Sequence, residues 1–106
     1  MTELDVQAER EDARAVLILS GELDLATAGA LHEAVAEQLA TGGVGELVLD
    51  LAKVSFLDSS GLGALLRIRG EVLAAGGNLR VSAVARGPAR VIAIAGLADT
   101  LGLAEP

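Results

Sequence analysis

The stretch that decides the fold is residues 46–75, which read ELVLDLAKVSFLDSSGLGALLRIRGEVLAA. In residues Glu46 to Leu51, three leucines at positions 47, 49 and 51 point to one side and Val48 and Asp50 point to the other. This alternation is the period of a β-strand. From Ser60 or Gly61 to about Ala75, the apolar residues recur with the period of an amphipathic helix. The stretch therefore predicts a strand, a connecting loop and a helix in direct succession.

The residues before this stretch predict two strands and a helix. Residues 4–8 alternate between apolar and polar side chains, which is typical of a half-exposed edge strand. Residues 14–20 are apolar almost without interruption, as in a central strand covered on both faces, and we expect Gly21 to end it. A helix should follow and end at Gly42-Gly43. Its apolar face would consist of Leu31, Val35 and Leu39.

Two further elements follow. Residues Leu79 to Ala83 predict a fourth strand, because apolar side chains alternate again after Gly76-Gly77. Pro88 suits the first turn of a short third helix, which we expect from Ala89 to about Ala95. Gly96 should close that helix.

This alternation of strands and helices within 106 residues predicts one α/β domain, residues 1–106. We expect a mixed sheet of four to five strands packed with three to four helices. The first two strands should pair antiparallel, and parallel strands should be joined by crossover helices. In such sheets, the loops at the carboxyl ends of the strands form the usual functional rim.

Composition excludes several functional classes. With no Cys and a single His, His32, the chain offers no disulfide, thiolate metal site or Cys nucleophile, and we predict no metal or cofactor. A formal charge of -7 would repel phosphates, and one Phe without Trp or Tyr gives bases no stacking platform, so we expect no direct nucleic-acid binding. Apolar runs such as Val91 to Ala98 are too short to cross a bilayer. Because the start, Met1 to Asp5, is also unlike a signal peptide, we expect a cytoplasmic protein without a membrane partner.

The candidate functional residues lie where the third strand ends. A loop is expected from Val54 to Asp58, and Ser59 then lies at the start of the second helix, where the first backbone N–H groups lack helical partners. Phosphorylation of a serine in that position would add about -1.5 to -2 charges to an accessible rim. The alternative is that Ser59 or Ser60 is an N-cap, and the pattern by itself favours this simpler role. Asp24 has the same two interpretations, as a helix cap or as an acidic residue of the rim.

Two enzymatic alternatives fit poorly. A serine hydrolase needs a base within hydrogen-bond reach, but His32 belongs to the first helix, and Leu57 and Asp58 do not form a Gly-x-Ser-x-Gly elbow. A nucleotide-binding loop at Ser59 to Gly63 would lack the Lys and the glycine spacing of a P-loop. We therefore predict that the protein is not an enzyme.

Several motifs together carry a family resemblance. In order along the chain they are Gly21 to Asp24, Leu49-Asp50-Leu51, Val54 to Gly63, Gly76-Gly77, Leu79 to Val81 and Val91 to Leu101. In this order and spacing the sequence resembles the STAS domain family over nearly its whole length. Within that family it is most similar to the soluble bacterial anti-sigma factor antagonists.

The resemblance implies a regulatory binding protein. Such a protein binds an anti-sigma factor and so frees a sigma factor to join RNA polymerase. In the family the anti-sigma factor is also a serine kinase whose target matches Ser59, and a separate phosphatase restores binding. Asp24 matches the acidic residue beside that serine. The resemblance thus implies a partner-binding rim made of Asp24, Asp58, Ser59, Ser60, Gly61 and Leu62.

The family also leaves alternatives open. Stressosome subunits and small components of lipid-transport ATPases share the domain and sometimes the serine. The interpretation as the cytoplasmic tail of an anion transporter is less favoured, because the sequence has no membrane spans. The sequence stops at Gly102 to Pro106, short of the last helix of many antagonists, so we expect a truncated fourth helix. We expect a monomer or a weak dimer.

Overall fold

Four strands and three helices form in the computed structural model, which describes residues 3–103. They confirm the predicted α/β class with a mixed sheet. In chain order they are β1 Leu4–Glu11, β2 Arg14–Leu23, α1 Ala28–Ala40, β3 Glu46–Leu57, α2 Ser59–Ala74, β4 Asn78–Val84 and α3 Arg86–Ile94. None of the helices in these described residues is long and apolar enough to span a bilayer.

The sheet has the strand order β1-β2-β3-β4. Strands β1 and β2 form an antiparallel hairpin, and β2–β3 and β3–β4 pair in parallel. Each parallel pair is joined by a helix, α1 or α2, because parallel strands need a crossover to return the chain to the same end of the sheet. The expected edge position of β1 and central position of β2 are confirmed.

One face of the sheet carries the core. In β2 the side chains of Ala15, Leu17 and Leu19 are fully buried, and their register partners on β3 include Leu47 and Leu49. The three helices contribute to the same apolar cluster through Leu31, Val35, Leu65, Ile68, Val72 and Ile92. The helices therefore complete a core on the face to which alternate strand residues point.

The opposite face of β2 is only half-buried, at Val16 and Ile18, so the prediction that β2 is covered on both faces was wrong. On that face Glu46 of β3 lies between two arginines, with its carboxylate oxygens 3.3 Å from Arg14 Nε and 3.5 Å from Arg80 Nε. Because all three side chains are partly exposed, these ion pairs retain water and mark a solvated face.

Strands β2 and β3 are longer than expected. The structure has no loop at Val54–Asp58, because β3 continues to Leu57, which pairs with Leu23. Val54 and Leu57 are buried, which the sequence pattern did not reveal because two register irregularities interrupt the alternation. Likewise, Gly21 does not end β2. It has a φ of +121°, and an added Cβ would collide with the backbone of Glu3, so a glycine is needed there within the strand.

The helix boundaries differ by a few residues from those expected. Helix α2 begins at Ser59, whereas a start at Ser60 or Gly61 was predicted. Helix α3 begins at Arg86, three residues before the predicted Ala89, and has Pro88 in its first turn. A proline is tolerated there because the first N–H groups of a helix have no helical acceptor. Helix α1 ends at Ala40, with Gly42 following in a left-handed conformation at φ +77°, as the glycine pair predicted.

A turn replaces the expected fourth helix. Residues 97–103 form successive turns, in which Leu101 N–H donates to the carbonyl of Leu97 at 3.0 Å. Leu101 is fully buried, and its carbonyl accepts from the N–H of Val81 on β4 at 2.9 Å. The segment thus closes part of the edge of the sheet without a helix. The last residues of the expected helix, 104–106, and the first two residues of the chain lie outside the described residues.

Candidate functional site

The candidate site lies where β2 and β3 end side by side. Leu23 and Leu57 are register partners, so the chain leaves both strands at the same carboxyl-terminal edge of the sheet. Asp24 follows β2, and Asp58 follows β3 and leads into α2. The topology therefore brings Asp24 close to the Asp58–Gly61 turn, as the sequence predicted for a functional rim.

Asp58 is the N-cap of α2. Its Oδ1 accepts from the backbone N–H of Gly61 at 2.9 Å, and its carbonyl accepts from the N–H of Leu62 at 2.9 Å. The interpretation of Ser59 or Ser60 as the cap was therefore wrong, because the carboxylate one residue earlier already satisfies the free N–H group. Ser59 is exposed in the first turn of α2, and its side chain makes no hydrogen bond within residues 3–103.

Asp24 closes the loop between β2 and α1. Its Oδ1 accepts from the backbone N–H of Thr27 at 3.1 Å, and its own N–H donates to Thr27 Oγ1 at 3.0 Å. The Thr27 hydroxyl donates in turn to the carbonyl of Glu22 at 2.8 Å. The N-cap of α1 is Thr27, so Asp24 stabilises the turn before the helix and does not cap the helix itself. Thr27 is almost fully buried, whereas Asp24 is half-buried and reaches the surface of the rim.

Gly61 lies close against the ends of β2 and β3. A Cβ at this position would lie 2.7 Å from Leu57 Cδ1 and closer still to the carbonyl oxygen of Leu23, so only a glycine fits without movement. Leu62 is buried in the core cluster. Direct contact of Gly61, Leu62 or the half-buried Ser60 with a partner remains a prediction.

Two exposed apolar side chains border the candidate site and were not singled out from the sequence. Leu25 follows Asp24 and is 79% exposed, and Phe56 precedes Leu57 and is 46% exposed. The segments 22–25 and 56–62 contain three carboxylates and no Lys or Arg. The rim therefore combines an exposed hydroxyl with apolar and acidic side chains, a combination suited to contact with another protein.

Among residues 3–103, the Ser59 hydroxyl has no hydrogen bond to a histidine or a carboxylate. His32, the one imidazole of the chain, belongs to α1, and its Nδ1 lies 3.2 Å from Glu71 Oε1 on α2. Within residues 3–103 no cluster of three His, Asp or Glu side chains is arranged to hold a metal ion. The geometry of the described residues therefore contains neither the Ser–base pair nor the metal cluster that hydrolytic chemistry would use.

Comparison with known proteins connects this geometry to one family. A family model described as the STAS domain matches residues 5–105. The anti-sigma-F factor antagonist RsfB of Mycobacterium tuberculosis is 41% identical over 91 residues, which are 84% of this chain and 71% of RsfB. A crystal structure of an anti-sigma factor antagonist from Mycobacterium paratuberculosis has a TM-score of 0.74 at 35% identity, covering 92% of this chain and 82% of that one.

SpoIIAA, named as an anti-sigma factor antagonist, is similar in two states. Its unphosphorylated form has a TM-score of 0.77 at 25% identity, covering 90% of this chain and 84% of SpoIIAA. Its phosphorylated form, described as a Bacillus cell fate determinant, has a TM-score of 0.69 at 25% identity and covers 90% of this chain and 86% of its own.

The chain belongs to the STAS domain family. Within that family, the relatives that it resembles are anti-sigma factor antagonists, which are regulatory binding proteins. The resemblance identified from the sequence motifs is thereby confirmed.

The close approach at Gly61 predicts a sharp difference between two glycines of the same helix. Gly61→Ala should lower the free energy of unfolding by about 1–3 kcal/mol, because its Cβ would push α2 away from Leu23 and Leu57. Gly63→Ala should raise it by about 0.5–1 kcal/mol, because a Cβ there meets nothing within 4 Å and alanine favours a helix. Urea unfolding of both variants measures the difference, and equal stabilities would contradict the packing described for Gly61.

The assignment of the cap predicts that neighbouring residues differ in their effect on stability. Asp58→Ala should destabilise the protein by about 0.5–2 kcal/mol, because the Gly61 N–H loses its acceptor. Ser59→Ala should change the stability by less than about 0.5 kcal/mol, because the Ser59 side chain is exposed. Thermal and urea unfolding test both variants. A larger loss for Ser59→Ala than for Asp58→Ala would show that the serine is the cap.

Proposed function

We propose that this protein is an anti-sigma factor antagonist that is switched off by phosphorylation of Ser59. The unmodified protein binds a kinase-type anti-sigma factor and so releases a sigma factor. The anti-sigma factor transfers a phosphoryl group from ATP to Ser59, and a phosphatase restores the active form. The observation that carries the proposal is the exposed Ser59 hydroxyl, which has no hydrogen-bond partner among residues 3–103, whereas Asp58 caps α2.

The comparisons support the pathway. RsfB and the protein from Mycobacterium paratuberculosis are both named as antagonists of this type, and both exceed 30% identity with this chain. SpoIIAA is known in phosphorylated and unphosphorylated forms, and it shares the fold. A rim that offers a hydroxyl without a catalytic base suits a protein that is the substrate of another protein's catalysis.

The physical effect of the phosphate follows from its surroundings. A phosphate on Ser59 would add about -1.5 to -2 charges at the N-terminus of α2, where the helix dipole favours an anion. The protein itself can therefore accommodate the modification. A partner that had packed against the neutral rim would meet an added charge and bulk, together with the carboxylates of Asp24 and Asp58, and would have to desolvate all of them.

The proposal also assigns the remaining partners and the setting. Asp24, Asp58, Ser60, Gly61 and Leu62 shape or contact the binding surface around Ser59. The protein acts in the cytoplasm, where sigma factors meet RNA polymerase, as a monomer or weak dimer. Its control of transcription is indirect, because it touches the anti-sigma factor and neither DNA nor a membrane.

Phosphorylation should occur at Ser59 alone. We expect that incubation with ATP and the anti-sigma factor kinase of the same organism adds one phosphate to the tryptic peptide Val54 to Arg67, and that fragmentation by mass spectrometry assigns it to Ser59. Ser59→Ala should abolish the modification. Ser60→Ala is the matched control, since it removes the neighbouring hydroxyl, and it should still be phosphorylated. A phosphate that persists in Ser59→Ala would refute the assignment.

A negative charge at Ser59 should weaken the complex with the anti-sigma factor. We expect Ser59→Asp to raise the Kd by at least about tenfold, or about 1.4 kcal/mol, in isothermal titration calorimetry. Asn78→Asp is the control for net charge, because the exposed Asn78 lies at the start of β4, the opposite end of the parallel strands. It should bind like the wild type. Equal affinities of Ser59→Asp and the wild type would count against the switch.

A further inference from the structure

Leu25 is an apolar side chain held out into water by a rigid loop. It is 79% exposed in the loop between β2 and α1, whose conformation is closed by the hydrogen bonds that Thr27 makes with Asp24 and Glu22. Because Thr27 is buried, the loop cannot fold Leu25 inward without breaking these bonds. Because these bonds already order the loop, a partner that covers Leu25 has to order little more than the leucine side chain.

Phe56 provides a second exposed apolar group at the same rim. It is the one aromatic residue of the chain, it is 46% exposed, and it is the register partner of Glu22. It lies three positions before Ser59 in the chain, which limits their Cα–Cα separation to about 10 Å. Leu25 lies two positions after Leu23, which is the register partner of Leu57. Leu25 and Phe56 therefore both lie close along the chain to the carboxyl-terminal ends of β2 and β3, next to the turn that carries Ser59.

The charges around these side chains have one sign. Glu22, Asp24 and Asp58 contribute carboxylates, and no Lys or Arg occurs in residues 22–25 or 56–62. All three are half-buried rather than freely solvated. A second copy of this rim, an anionic lipid surface or a nucleic acid would be repelled by these charges. The rim instead complements a protein surface that combines an apolar pocket with cationic side chains at its border.

We propose that Leu25, assisted by Phe56, is the apolar anchor by which the anti-sigma factor kinase docks on this protein. The inference rests on the proposed function and adds to it the residues that determine affinity. A kinase that transfers a phosphoryl group to Ser59 must hold the hydroxyl in line with ATP and exclude water from it, so its surface must close over the surrounding rim. A few side chains that fill well-packed pockets near the centre of such a contact carry most of its binding energy. The occupant therefore offers an apolar pocket for Leu25, bordered by Arg or Lys.

The test compares two exposed leucines, Leu25 near the candidate site and Leu73 far from it. Leu25→Ala should raise the Kd for the anti-sigma factor kinase by about tenfold or more and raise the KM for phosphorylation of Ser59 to a similar extent. The kcat should stay within about twofold of wild type, because the reacting hydroxyl is unchanged. Leu73→Ala is the control. Leu73 is 42% exposed in the last turns of α2, far along the helix from Ser59, and this variant should match the wild type.

Phe56→Ala provides an independent second variant, with an expected rise in Kd of about threefold to tenfold. Because both substituted side chains are exposed, urea unfolding should show stabilities close to wild type, so that weaker binding is not caused by unfolding. Vesicles of anionic phospholipid should not retain the wild-type protein, and light scattering should give the same mass for wild type and Leu25→Ala. Retention or self-association that depends on Leu25 would overturn the proposal by revealing another occupant.

The outcomes separate this inference from the proposed function. If wild type is phosphorylated on Ser59 and Leu25→Ala has the Kd and KM of Leu73→Ala, the anchor is refuted and the switch at Ser59 stands. If no anti-sigma factor kinase of the organism binds or phosphorylates the wild type, the proposed function fails, and the anchor fails with it.

Discussion

The structure of the rim depends on the close packing of the first turn of α2 against the end of β2. Gly61 lies against the Leu23 carbonyl and the Leu57 side chain, with no space for a Cβ. This packing fixes where α2 begins relative to the end of β2, the residue before Asp24. Because β2 and β3 remain paired up to Leu23 and Leu57, Gly61 packs against the last paired residues of these two strands. The position of the candidate switch thus depends on the contact of Gly61 with the Leu23 backbone and with the buried Leu57 side chain.

Two adjacent polar residues have different roles at the start of α2. Asp58 binds the Gly61 N–H and stabilises the helix, while the Ser59 side chain remains exposed. A serine engaged as a cap would have to give up that hydrogen bond before another protein could modify it. The same separation occurs in the neighbouring loop, where Thr27 is buried and carries the hydrogen bonds that hold Leu25 at the surface. In both places, one residue (Asp58 or Thr27) makes the structural hydrogen bonds, and a nearby residue (Ser59 or Leu25) remains exposed.

The two faces of the sheet explain why contact is expected at its edge. One face is occupied by the helices and by a core of aliphatic side chains, which dominate because the chain has one Phe and no Trp or Tyr. The other face carries the ion pairs of Glu46 with Arg14 and Arg80 and remains solvated. The carboxyl-terminal rim differs from both, since it combines the exposed Leu25 with the exposed Ser59 and the carboxylates of Asp24 and Asp58. Exposed apolar groups of this kind are retained where a partner covers them.

The sequence by itself determined the order of strands and helices and the edge position of β1, and it located the candidate site after β3, because hydrophobic period and glycine positions are local signals. Its motifs also identified the family. Only the tertiary structure decided that β3 runs to Leu57, that Asp58 is the cap, and that Leu101 completes the core from a turn. The extent of β3 and the position of Leu101 depend on strand register and on contacts between residues far apart in the chain, where packing outweighs local preference. The cap at Asp58 is a local contact, but it depends on where α2 begins, which the packing of Gly61 against β2 sets. The exposure of Leu25 was hidden for the same reason, because a leucine in a short loop is as easily buried as exposed until Thr27 and its hydrogen bonds fix the loop.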